Sequence, residues 1–147
     1  MTFSSRLALT FVFFLYSFNV FAQTKLTWET LSHVKFEKKF SEELGFDINE
    51  ATFDPDLQLM DGQEVIITGY MIPMDVLGIQ FVVSQHPNAS CFFCGKAGPE
   101  TVVQLFFKPS ARRRFKTDER LTLKGMLKLN KINDQQLTYI MNDVETH

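Results

Sequence analysis

Hydrophobic positions follow two regimes along this chain. Leu7 to Tyr16 is an almost unbroken apolar run, whereas beyond residue 60 apolar residues mostly alternate with polar ones. Such period-two alternation marks strands with one buried face. Val65 to Ile72 is rich in β-branched and aromatic residues and predicts a first strand, ended by Pro73. Gly78 turns the chain into a second strand over Ile79–Val83. Val102–Phe107 predicts a third, and Leu121–Leu129, with its clean alternation, a fourth. A turn over Asn130–Gln136 leads to a last strand, Leu137–Val144. Gly69 and Gly125 fall mid-strand, where glycine is costly unless the strand bends or bulges. Five strands with such bends predict a mainly β fold, a five-stranded OB-like, partly open barrel. Any helix between the third and fourth strands must be absent or very short, because Lys108–Glu119 is a basic connection containing a proline. A two-sheet sandwich is the competing architecture, but it usually wants about seven strands.

Residues 23–60 carry mixed signals and are expected to form an N-terminal arm packed on the barrel of residues 61–147. Thr27 can cap a short helical turn through Leu31. Val34, Phe36 and Phe40 alternate with charged residues, as in a half-buried strand. The acidic stretch Ser41 to Ala51 is compatible with a helix, which Asp54-Pro55-Asp56 breaks.

The unpatterned run at the start changes the picture. Arg6, the apolar run and the closing Val20-Phe21-Ala22 make residues 1–22 a cleavable secretory signal peptide. The run is shorter than the roughly 20 residues that a membrane span needs. A periplasmic or secreted domain of 125 residues is expected to remain, with no stable membrane span. Arg6 leaves with the signal, so the net charge of that domain becomes −3. A mildly acidic domain is a poor partner for nucleic acid, whose binding rests on many Lys and Arg at phosphates.

The chemistry concentrates in Ser90-Cys91-Phe92-Phe93-Cys94-Gly95-Lys96-Ala97-Gly98-Pro99-Glu100. Two thiols three positions apart can face one point, and glycines beside them let the backbone approach closely. Thiolates at this spacing form half of many tetrahedral zinc sites and also suit copper(I). His86 or Glu100 can supply a further ligand, and Met71 and Met74 are possible soft neighbours. Alternatively, Cys91 and Cys94 form a disulfide, which export permits. So small a loop gains only roughly 2 kcal/mol from closure. A third reading is a thiol–disulfide oxidoreductase, although Gly95, Gly98 and Pro99 prevent a long helix from starting at Cys91 to stabilise a thiolate. No G-x-S-x-G, P-loop or His-Glu-x-x-His pattern is present, and no catalytic residue is assigned. The basic run Arg112 to Lys116 reads as a solvated connection, and His33 as a surface residue without a partner.

Met60-Asp61-Gly62-Gln63-Glu64-Val65 through Met74-Asp75, Ser90 through Gly95, Gly98-Pro99-Glu100, Arg114 through Asp118, and Leu127 through Asn130 resemble a family of small exported bacterial proteins of unknown function. The resemblance implies an OB-like barrel. It also implies a link to envelope transport systems, since some members are encoded near zinc-responsive or ABC-type transport genes. Many members carry Cys-x-His followed by prolines at the loop; here Phe93 stands in the place of the His and Cys94 follows. The loop therefore offers two thiolates where those members offer thiolate and imidazole. The resulting expectation is a non-enzymatic periplasmic domain that binds or helps to handle zinc or copper. A binding or adaptor module with a structural Cys91–Cys94 disulfide is the alternative.

Overall fold

A computed structural model describes residues 24–42, 45–75, 80–87, 98–132 and 136–147. The proposed signal peptide lies outside them. In chain order, the elements are β1 (Thr24–Lys25), α1 (Trp28–Leu31), β2 (Val34–Ser41), β3 (Phe46–Phe53), α2 (Pro55–Leu59), β4 (Glu64–Pro73), β5 (Phe81–Ser84), β6 (Val102–Phe107), β7 (Arg120–Leu129) and β8 (Tyr139–Thr146). Among these residues no helix is long and apolar enough to cross a membrane.

The five strands read from alternation form the barrel. β4 pairs with β5, β5 with β6, β6 in parallel with β8, β8 with β7, and β7 returns to β4. The order 1-2-3-5-4 of its strands, with the third and fifth parallel, is that of an OB-like barrel. Where a partly open barrel was expected, the seven-residue β4–β7 ladder from Glu64↔Met126 to Tyr70↔Arg120 closes it. The connection between β6 and β7 holds only a 3₁₀ turn, Pro109–Ala111, as its composition requires. β1 adds a short parallel strand outside β4.

The inward positions of these strands make one core. Val65, Ile67 and Met71 of β4 meet Phe81 and Val83 of β5, Val103, Leu105 and Phe107 of β6, Leu123 and Leu127 of β7, and Tyr139, Met141 and Val144 of β8. Both mid-strand glycines answer a close approach. A methyl group on Gly69 would stand 2.6 Å from the Ser84 carbonyl oxygen, 2.7 Å from Val83 Cγ2 and 2.9 Å from the Trp28 ring. A methyl on Gly125 would stand 2.8 Å from the Asn142 carbonyl oxygen. There β8 carries one extra residue relative to both neighbours: Lys124↔Glu145 is followed by Met126↔Asn142, and Leu105↔Met141 by Phe107↔Val144. Asp143, with φ of 53°, takes up that bulge.

The segment before the barrel contributes Leu26, Leu31, Ala51, Phe53 and Leu57 to the same core. Thr27 caps α1, its hydroxyl accepting from the Thr30 amide at 3.1 Å. The helix expected over Ser41 to Ala51 is replaced by β3, paired with β2 over eight residues from Val34↔Phe53 to Ser41↔Phe46. The reason is tertiary. Gly45, with φ of 74°, completes the reversal after β2, and the Ala51 amide donates to Lys131 at 2.8 Å, which draws β3 against the β7–β8 connection. β2 is a strand as expected, but not half-buried: Lys35 through Phe40 are exposed. Asp54 starts a helix as well as ending the strand, because its carboxylate accepts from the Leu57 amide at 3.0 Å and Pro55 follows at the first helical position.

Candidate functional site

The thiol loop leaves the barrel at the end of β5 and returns at the start of β6. Cys91 and Cys94 lie outside the described residues, and the two legs of their loop are inside. The ladder runs out at Ser84↔Val102, and one further hydrogen bond, from the Gln85 amide to the Thr101 carbonyl at 2.9 Å, extends it. The next residue on each leg is a sequence-predicted ligand, His86 on one and Glu100 on the other. His86 is exposed and its amide donates to the Ser84 hydroxyl at 3.2 Å.

The returning leg is built more firmly. Pro99–Thr101 forms a 3₁₀ turn in which both the amide and the hydroxyl of Thr101 donate to the Gly98 carbonyl, at 3.0 and 2.8 Å. The carboxylate of Glu100 folds back into the space where a side chain on Gly98 would stand. Glycine at 98 thus lets that carboxylate turn toward the end of the thiol loop. The turn packs against α1. Behind it lies Tyr139, fully buried, whose phenol donates to the Leu31 carbonyl at 2.6 Å. Burial first, and then the carboxylates of Glu100 and Asp54, push that phenol far above its ordinary ionisation range. It remains a neutral donor.

The sulfurs offered by the methionines do not converge on this end of the barrel. Met71 faces the core with no exposed surface, and Met74 sits past Pro73, beside the β4–β5 turn at the opposite end of β5. The expected closeness of these methionines to the thiols concerns Cys91 and Cys94, which lie outside the described residues. Among the described residues, no group of three or more His, Cys, Asp or Glu is placed to hold a metal ion.

Three further features bear on function. His33 has a partner after all: its Nδ1 stands 3.3 Å from Asp54 Oδ2, beside a groove of about 380 Å³ between α1, β2 and β3. Asp54 stands in the breaker Asp54-Pro55-Asp56, and its distance in sequence from His33 hides this pairing. The basic run is partly structural. Arg113 forms a two-pronged ion pair with Glu119, at 2.7 and 3.2 Å, and lies 4.1 Å above the ring of Phe115. Phe115 is itself stacked with Phe107 and edge-on to Phe81. Arg113 and the Lys116 amide hold the Glu119 carboxyl below its usual range. A second groove of about 310 Å³ runs between β5, β6 and this connection, with Gln80, Gln104, Phe106 and Arg112 at its surface. The sequence signal for it is the outward phase of Gln104 and Phe106 on β6.

Compared with protein-family models, with curated proteins and with solved structures, the chain matches none.

Proposed function

We propose that this chain is an exported, periplasmic, non-enzymatic barrel that binds a thiophilic metal, zinc or copper(I), through the thiolates of Cys91 and Cys94. His86 or Glu100 completes the ligand set. The observation that carries the reading is the Gln85–Thr101 hydrogen bond at the neck of the loop. It brings the two legs to hydrogen-bonding distance one step before His86 and Glu100, so an imidazole and a carboxylate flank the segment that holds both thiols. The turned-back Glu100 carboxylate adds to this. A neutral imidazole or a carboxylate beside two thiolates is a donor set that zinc accepts, whereas copper(I) needs little beyond the thiolates. The resemblance to exported proteins encoded near transport genes suggests an envelope transport system as the partner that receives or supplies the metal.

Reduced protein equilibrated anaerobically with zinc, and separately with copper(I), should retain close to one metal per chain after desalting. Cys91→Ser and Cys94→Ser should each abolish that retention, and His86→Ala or Glu100→Gln should weaken it for zinc. Zinc affinity should fall as pH is lowered, because the ligands must lose their protons to bind. Retention far below one metal per chain for both metals ends the proposal. A Cys91–Cys94 disulfide in the isolated protein that resists glutathione replaces it with the structural alternative.

A further inference from the structure

The β2–β3 ribbon presents an unused strand edge. β3 pairs with β2 along its length and, on its other side, meets the chain around Lys131 and Ile132 at Glu50 and Ala51. Among the described strands β2 pairs only with β3, and on its other edge the exposed run Lys35–Phe40 has no ladder partner among them. An open edge of this length is a template for another strand.

The side chains along that edge choose the occupant. Val34, Phe36, Lys38 and Phe40 point to one face, and Lys35, Glu37 and Lys39 to the other. The apolar face runs outward from buried Phe53 and Ala51, through Phe36, 36% exposed, to Phe40, 65% exposed. On the other face, Glu37 stands directly opposite Glu50 of β3, a like-charge pairing, while Glu50 already takes Lys39 as its ion-pair partner. Glu37 is thus a carboxylate beside a carboxylate, exposed on an open edge.

We propose that two copies of this chain associate through their β2 edges, antiparallel about a two-fold axis at Lys38, and join their ribbons into one four-stranded sheet. A two-fold axis normal to the sheet keeps each face on its own side, so only residues of like parity oppose each other. With the axis at Lys38, Phe36 opposes the second copy's Phe40, and Glu37 opposes its Lys39, each twice. Both exposed aromatics gain an aromatic partner, and Glu37 gains the cation that its own ribbon does not place opposite it. Moving the axis one residue, to Glu37, sets Glu37 against itself, Lys35 against Lys39 and Phe36 against Lys38. An axis at Phe36 pairs Glu37 with Lys35 but sets Phe40 opposite position 32, beyond the strand, so of these only the register centred on Lys38 gives both aromatics an aromatic partner and Glu37 a cation. Its single unfavourable contact is Lys38 against Lys38 on the axis, where long flexible stems let the two ammonium groups part. The small area makes this a weak dimer, with a dissociation constant on the order of micromolar.

Sedimentation of the protein isolated from cells expressing the full chain tests this up to high micromolar concentration. A monomer–dimer equilibrium is expected. Glu37→Lys should weaken it roughly tenfold or more, because two attractive pairs become repulsive. The double swap Glu37→Lys/Lys39→Glu should restore it to within a few-fold, since it rebuilds the pair between copies and the contact with Glu50. Phe40→Ser should weaken the dimer and Lys38→Thr tighten it. Circular dichroism on dilute samples checks that each variant remains folded. A chain that stays monomeric throughout, a dimer indifferent to both Glu37→Lys and Phe40→Ser, or a double swap that fails to restore association overturns the proposal.

Discussion

The β4–β7 ladder pairs seven residues and the β2–β3 ladder eight, both antiparallel, so their backbone hydrogen bonding is nearly equal. Their surroundings are opposite. In β4–β7, Val65, Ile67 and Leu123 are at most 1% exposed, whereas six consecutive residues of β2 lie open to solvent. The barrel seam is held by what its inward side chains bury. The ribbon is held by its ladder, by Val34, Ala51 and Phe53 at its base, and by the ion pair between Lys39 and Glu50. A hydrogen bond contributes only about 1 kcal/mol net, because water competes for it. Buried side chains decide which ladder is rigid and which is available.

That contrast can be broken most forcefully from the barrel side. Leu123→Ala opens a cavity in the seam and should cost about 2–5 kcal/mol in denaturant unfolding. Gly69→Ala places a methyl group against the Ser84 carbonyl and the Val83 side chain, and should cost about 1–3 kcal/mol by overpacking. Tyr139→Phe removes the donor to the Leu31 carbonyl and should cost about 1–3 kcal/mol. This variant carries a pH signature too. The folded phenol titrates above its ordinary value of 10.0, so the unfolded chain loses that proton first. The contribution of Tyr139 is therefore constant below about pH 10 and declines as pH rises beyond it. Stability curves of the wild type and of Tyr139→Phe should converge in that alkaline range. From the ribbon side the effect should nearly vanish: Phe40→Ser, measured where the protein is monomeric, should change stability by less than about 0.5 kcal/mol. A large loss there would show the ribbon to be part of the core.

The barrel was the more readable of the two regions for the same reason. A strand with one buried face writes its period into its own residues, which is why Val102–Phe107 falls where alternation puts it. The pairing of Gly69 with Leu121 leaves no comparable trace, so closure of the barrel emerged only from the structure. β3 was misread because Phe46, Ile48, Ala51 and Phe53 follow neither period cleanly and its ladder partner is another exposed strand. His33 looked solitary because Asp54 reaches it through a fold of the chain. At the thiol loop the sequence supplied the two cysteines with His86 and Glu100 as candidate ligands, and the structure added only the Gln85–Thr101 hydrogen bond, which no pattern of residues announces.

One arrangement in the barrel bears on how the chain folds as it is made. β8, at Tyr139–Thr146, is inserted between β6 and β7, and its tyrosine also holds the end of the first helix. Until those residues are in place, β6 and β7 have no common neighbour and the Leu31 carbonyl lacks its phenol donor. Strands β4 to β7 can pair without β8, but the gap between β6 and β7 is filled, and the Leu31 carbonyl receives its donor, only when Tyr139–Thr146 joins them, so the final strand locks a sheet that is already partly assembled.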